Sequence, residues 1–141
     1  MRMKPGKGRR RSGATIVEFA LVVPILIAIM LAVMEAGWLI KNNMQVANGA
    51  REGARAASIG KSTANVKALV AKRAAPLEVT TTVQHTVEDK TYDTKDSGLA
   101  NDAPAGALVR VTVRHRHKPL TGFFPFLRNR TVMAKAEFGR E

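Results

Sequence analysis

Few residues in this chain have types and spacings that could do chemistry. The 141-residue sequence holds three histidines and no cysteine, which removes thiol nucleophiles, disulfides and cysteine-bound metals. His115 and His117 share one side of an alternating stretch and are the best-placed metal-ligand pair. No carboxylate or further histidine lies near them in sequence, and His85 falls on another strand, so no metal is assigned. There is no phosphate-cradling glycine loop and no Ser/His/Asp pattern with a local signature, and neither an enzymatic activity nor a cofactor is assigned. What remains is one acid at the start of an apolar run. Glu18 follows four uncharged residues, and a carboxylate at the centre of a membrane helix costs about 2.5–3.5 kcal/mol on insertion scales, less near an interface. Such a group needs a cationic partner. If the chain were cut between Gly13 and Ala14, the new α-amino group of Ala14 would stand one helical turn from Glu18. The Glu18 of one chain could equally meet the amine of a neighbour.

The element that must position Glu18 is the segment from Gly13 to Ile40. Phe19 to Met34 are sixteen residues without a charge, and with Glu35 admitted the run from Phe19 reaches Ile40, about 33 Å as a helix and enough to span a bilayer. Arg2, Lys4, Lys7 and Arg9 to Arg11 all precede it with no acid among them, so the positive-inside rule keeps the N-terminus cytoplasmic and sends the rest across. Residues 1–13, with Pro5, three glycines and no apolar periodicity, read as a leader. Pro24 should bend the helix without ending it, because neighbouring helices can satisfy the freed carbonyl. Trp38 falls where the apolar run gives way to Lys41, Asn42 and Asn43, as expected of a ring at the outer interface.

A basic leader, Gly13 before the cut, Glu18 at the fifth position after it and an apolar helix with Pro24 together resemble the class III signal of type IV pilins and pseudopilins. The resemblance implies that a membrane-embedded prepilin peptidase removes residues 1–13 on the cytoplasmic side, and that the apolar helices then bundle as a filament core. The alternative is an uncleaved, single-span envelope protein whose outer domain binds a ligand or partner. A secretory signal peptide does not fit, since Ala28, Ala32, Ala36 and Gly37 never supply the small-x-small pair that signal peptidase requires.

Beyond Lys41, small and apolar residues recur at spacings of three and four through Met44, Ala47, Ala50, Ala54 and Ala57. The helix therefore continues over 41–60, with Gly60 as its stop. Gly49 and Gly53 form a GxxxG pair that lets another element approach closely, either a partner or the chain's own C-terminal domain. The run NGAREGARAA, Asn48 to Ala57, resembles that of TadE-like proteins, minor pilin-like subunits of tight-adherence (Flp) pilus systems; Gly49 replaces the first alanine of their motif. The resemblance implies a family motif at Asn48, Ala50, Arg51, Glu52, Gly53, Ala54 and Arg55, of which Arg51, Glu52 and Arg55 carry over as functional positions without a defined role. It also implies prepilin peptidase, other pilin-like subunits, the pilus assembly platform and the bacterial inner membrane as partners and setting. On a bland reading Glu52 and Arg55, three apart, form only a weak exposed ion pair.

Residues 61–141 read as a small extracytoplasmic α+β domain. Ser62 or Thr63 caps a helix ending at Pro76, with Val66, Leu69 and Val70 on one face. Strands follow: Val79, Thr81, Val83, His85 and Val87 on one face; Val109, Val111 and Val113 against Arg110, Thr112 and Arg114; then Val132, Ala134, Ala136 and Phe138 inward. The expectation is a three-stranded antiparallel sheet against a helical face. Glu88 to Gly106 reads as an acidic loop. Lys118 to Arg130 reads as an apolar loop that covers one face of the sheet or offers Phe123, Phe124 and Phe126 to a partner or the membrane. The order of a V-x-V strand, a Pro-containing apolar turn and a last alternating strand also resembles the end of TadE-like domains. Of the 23 basic side chains six lie in the leader, leaving 17 against 11 acids. Half of the net charge of +12 is thus topological, and no nucleic-acid partner is assigned.

Overall fold

The computed structural model describes residues 11–97, 100–123, 125 and 129–141. Most of the leader, together with Phe124, Phe126 and Leu127, lies outside them. Helix α1 spans Arg11–Ser58 and runs through Pro24, about 70 Å at 1.5 Å per residue. Helix α2 spans Thr63–Ala74, and the Ser62 side chain caps it by accepting the Asn65 N–H. Strands β1 (Val79–Val87), β2 (Lys90–Asp93), β3 (Asp96–Ser97), β4 (Ala100–Asn101), β5 (Leu108–Arg116) and β6 (Thr131–Gly139) complete the chain.

Four strands form one antiparallel sheet in the order β2-β1-β5-β6, and β3 pairs with β4 as a separate short ribbon. The sheet has one strand more than the sequence predicts. The extra strand, β2, is Lys-Thr-Tyr-Asp and exposed along its whole length, so it lacks the alternation by which a half-buried strand announces itself. Its turn is equally quiet in sequence: Glu88 and Asp89 both take positive φ, at 48° and 64°, a conformation that hairpins usually assign to Asn or Gly.

The core lies between one face of the sheet and the two helices. Val83, Val109, Val111, Val113 and Val132 meet Val66 and Val70 of α2 and Val46, Ala50, Ala54 and Ala57 of α1. Small residues on α1 make this possible. A β-carbon on Gly53 would come within 2.5 Å of Val70 Cγ2 and 3.3 Å of Val111 Cγ1, and one on Gly49 within 3.4 Å of Val70 Cγ1. The GxxxG pair therefore docks α1 on its own domain.

The C-terminal end of α1 is closed by contacts from afar. Gly60 turns at φ +86°, Asn101 Nδ2 donates to the carbonyls of Ala57 and Lys61 at 2.8 and 2.9 Å, and Arg140 Nη1 donates to Ser58 O at 3.2 Å. The bonds to Ala57 O and Ser58 O add side-chain donors to carbonyls of the last helical turn, which also accept the Gly60 and Glu141 N–H groups, and Arg140 places a cation at the helix's negative pole.

Candidate functional site

The two halves of α1 differ in what surrounds them. From Gly13 to Met34 no residue of the helix is buried against the described residues, and only Val23, Ala28, Leu31 and Ala32 are partly covered. Ile16, Phe19 and Leu21 are 67%, 66% and 71% exposed, and the most apolar 18-residue window has a mean hydropathy of 2.8 with none of it buried. Gly13, Ala14 and Glu18 all sit exposed on this bare section, with Ala14 and Glu18 one turn apart on one continuous helix.

From Asn48 to Arg55 the motif splits between two sides of α1. Gly49, Ala50, Gly53 and Ala54 are buried against the domain, whereas Asn48, Arg51 and Arg55 face solvent with Glu52 half-buried. The outward group lines an open cleft of about 580 Å³ together with Arg73 of α2 and Phe138 of β6. Glu52 does not pair with Arg55. Its carboxylate meets Arg73 at 3.7 Å, an exposed contact that contributes little to stability. Arg51 and Arg55 have no carboxylate within ion-pair distance among the described residues, so the cleft presents uncompensated positive charge. Phe138, expected inward, keeps the facing of Val132, Ala134 and Ala136 but is 43% exposed, because it stands at the strand end and forms the wall of this cleft.

The third cluster was not foreseen from the sequence. Glu35 is 1% exposed, with Asn42 and His117 equally buried. His117 Nε2 lies 3.3 Å from Glu35 Oε1, and Asn42 Nδ2 lies 3.3 Å from His117 Nδ1. With the amide oriented so, Asn42 donates to Nδ1 and the imidazole donates from Nε2 to the carboxylate. The N–H groups of Leu120 and Thr121 and the Thr121 hydroxyl also donate to Glu35, each at 3.1 Å. A buried carboxylate surrounded by donors is retained where a bare one would be expelled. Two signals could have revealed it. Glu35, Leu39, Asn42 and Val46 continue, at steps of three and four, the stripe that Ala50, Gly53 and Ala57 bury. His117 extends the inward parity of Val109 to His115. The partner that His117 lacks nearby in sequence is 82 residues away.

The other histidines are occupied locally. His115 Nδ1 is 2.7 Å from Glu78 O, and His85 Nδ1 is 3.1 Å from Thr94 Oγ1 while its ring stacks on Tyr92. No group of three or more His, Asp or Glu side chains placed to hold a metal occurs among the described residues. The apolar loop after β5 does not begin by covering the sheet. Its first residues are strapped to α1 at Glu35, and Leu120 and Phe123 are left 51% and 56% exposed.

A long bare helix and a docked half whose outer side carries Asn48, Arg51, Glu52 and Arg55 are the features on which a comparison can turn. Residues 13–55 match the family model of TadE-like protein. The TadE-like segment thus covers the bare half of α1 and most of the docked half, and stops before α2 and the sheet. No curated protein and no solved structure significantly matches the chain.

Proposed function

We propose that this chain is a minor pilin-like structural subunit of a tight-adherence (Flp-type) pilus or a related secretion machine, without enzymatic activity, matured by prepilin peptidase between Gly13 and Ala14. The observation that carries the reading is the TadE-like segment on one continuous helix, whose first half leaves most of its large apolar side chains exposed and none buried among the described residues. A bilayer before assembly, and neighbouring helices after it, supply the apolar surroundings that such a surface needs. The N-terminus is cytoplasmic in this reading, and the α+β domain lies outside the inner membrane.

Within that role the cleft of Arg51, Arg55, Arg73 and Phe138 is the surface for another pilin-like subunit or the assembly platform. Uncompensated arginines beside an exposed aromatic ring suit an acidic partner segment. The deciding experiment is the intact mass of the protein extracted from membranes. A mass lacking residues 1–13 is expected; retention of residues through Gly13 overturns maturation and leaves a plain signal anchor.

A further inference from the structure

We infer that the Pro119–Phe123 turn is a membrane-dipping wedge that seats in the outer leaflet, with Leu120 and Phe123 as its lipid contacts and Glu35 as the post that sets its depth. The inference rests on α1 crossing the bilayer.

Depth follows from helix arithmetic. Glu18 and Glu35 are 17 residues apart, about 26 Å of helix, and Ala14 and Glu35 are about 32 Å apart. A hydrocarbon core is about 30 Å thick, and tilt only shortens the projection of the helix across it. Whether Glu18 or Ala14 marks the cytoplasmic boundary, Glu35 stands at the outer boundary or just inside it. Whatever is bonded to Glu35 stands at the same level. Trp38, with Lys41 Nζ 4.8 Å from its ring centre, lies one turn further out, where an aromatic and a lysine mark the headgroup zone.

The turn is prepared for a place with little water. A backbone N–H in hydrocarbon must be satisfied internally. Pro119 has none, those of Leu120 and Thr121 donate to Glu35 at 3.1 Å, and that of Phe123 donates to Thr121 Oγ1 at 3.4 Å, so that of the turn's four N–H groups only Gly122's has no acceptor among the described residues. Gly122 takes φ +65°, which closes the turn tightly. With these polar groups turned to the helix, the Leu120 and Phe123 side chains stay more than half exposed. In a soluble loop large apolar groups would face the protein and the amides would face water; here the arrangement is reversed, as a lipid surface requires.

Trp38 is the only tryptophan, so fluorescence can report depth in the full chain. In a Trp38→Phe background, Leu26→Trp reports the span, Phe123→Trp the wedge and Tyr92→Trp the far edge of the sheet. Each is reconstituted in phosphatidylcholine vesicles whose acyl chains are brominated either near the carbonyl or near the mid-plane. We expect Leu26→Trp to be quenched most by mid-plane bromine, Phe123→Trp to lose most of its emission to shallow bromine and be shielded from aqueous iodide, and Tyr92→Trp to respond to iodide alone. Adding Glu35→Gln should return Phe123→Trp toward the iodide-sensitive state. A quenched Leu26→Trp with a Phe123→Trp that behaves like Tyr92→Trp overturns the wedge and leaves the span intact. So does a Phe123→Trp hidden from both quenchers, which means a protein partner covers the turn. If Leu26→Trp escapes lipid quenching, the span fails and takes the wedge with it.

Discussion

Replacing Glu35 by Gln is the sharpest perturbation of this molecule. The carboxylate accepts from His117 Nε2, Leu120 N, Thr121 N and Thr121 Oγ1, and both Glu35 and His117 are sealed from solvent. Glutamine keeps one oxygen and turns its NH2 toward at least one of those donors. The loss is therefore one or two charge-assisted bonds plus a donor left facing a donor. Each buried unsatisfied group costs about 1–3 kcal/mol, and the Thr121 hydroxyl can rotate and recover part of it, so we expect about 2–3 kcal/mol in all. That loss should be local, because the core valines do not depend on it. At 1.4 kcal/mol per decade, the amides of Leu120 and Thr121 should lose protection against hydrogen exchange by roughly 30- to 140-fold while those of Val111 and Val113 stay unchanged. Full-length protein in micelles, followed by exchange and mass spectrometry, reads both. Unchanged protection at Leu120 and Thr121 refutes the post; an equal fall at Val111 and Val113 means that the network holds up the whole domain.

Other outcomes follow from the same geometry. Gly53→Ala should destabilise the domain by about 1–3 kcal/mol in denaturant unfolding, since its β-carbon meets Val70 Cγ2 at 2.5 Å, and Gly49→Ala, at 3.4 Å, should cost clearly less. Gly13→Leu should accumulate at the precursor mass; if it is still trimmed to Ala14, the assigned cut site is wrong. Arg51→Glu with Arg55→Glu should leave the melting temperature within a few degrees, because both side chains are exposed, yet remove co-purification with partner subunits. Glu18→Gln should be processed at normal abundance but fail in assembly, and normal assembly would dismiss the proposed charge pair.

Regular burial made most of this fold legible. Val109, Val111 and Val113 alternate because one face of β5 packs on the helices, while the other is covered only at its middle, where Thr112 is buried, and Val66 and Val70 lie one turn apart because α2 buries one stripe. Signals that depend on hydrophobic contrast therefore read correctly. Two elements escaped for want of contrast. Strand β2 is polar on both faces and is held by its register with β1, Gln84 opposite Asp93 through Val87 opposite Lys90, information that resides in the partner. The Glu35–His117–Asn42 network escaped because polar residues in an apolar stripe read as its interruption, whereas in the fold they continue it. The outward half of the motif was visible as residues, but its cleft needs Arg73 and Phe138, which only the packing of α2 and β6 brings to Arg51 and Arg55.

The two acids of the first 40 residues divide along the same line. Glu35 finds all its donors within its own chain, from a loop more than 80 residues away. Glu18 stands exposed on a helix whose neighbouring large side chains are also exposed. A carboxylate in apolar surroundings is tolerated only when hydrogen-bond donors or a counter-charge stabilise it. For Glu35 the fold supplies the donors, and the cost of burial is met when the domain folds. For Glu18, no described residue of this chain lies within ion-pair distance, and its helical turn offers only uncharged neighbours apart from the amine that cleavage at Gly13 would create. If α1 spans the membrane and is cut as proposed, the new Ala14 amine can complete the site of Glu18 in the same chain or in a neighbour. In that reading the amine has to be made before chains can pair through it, so maturation would precede assembly.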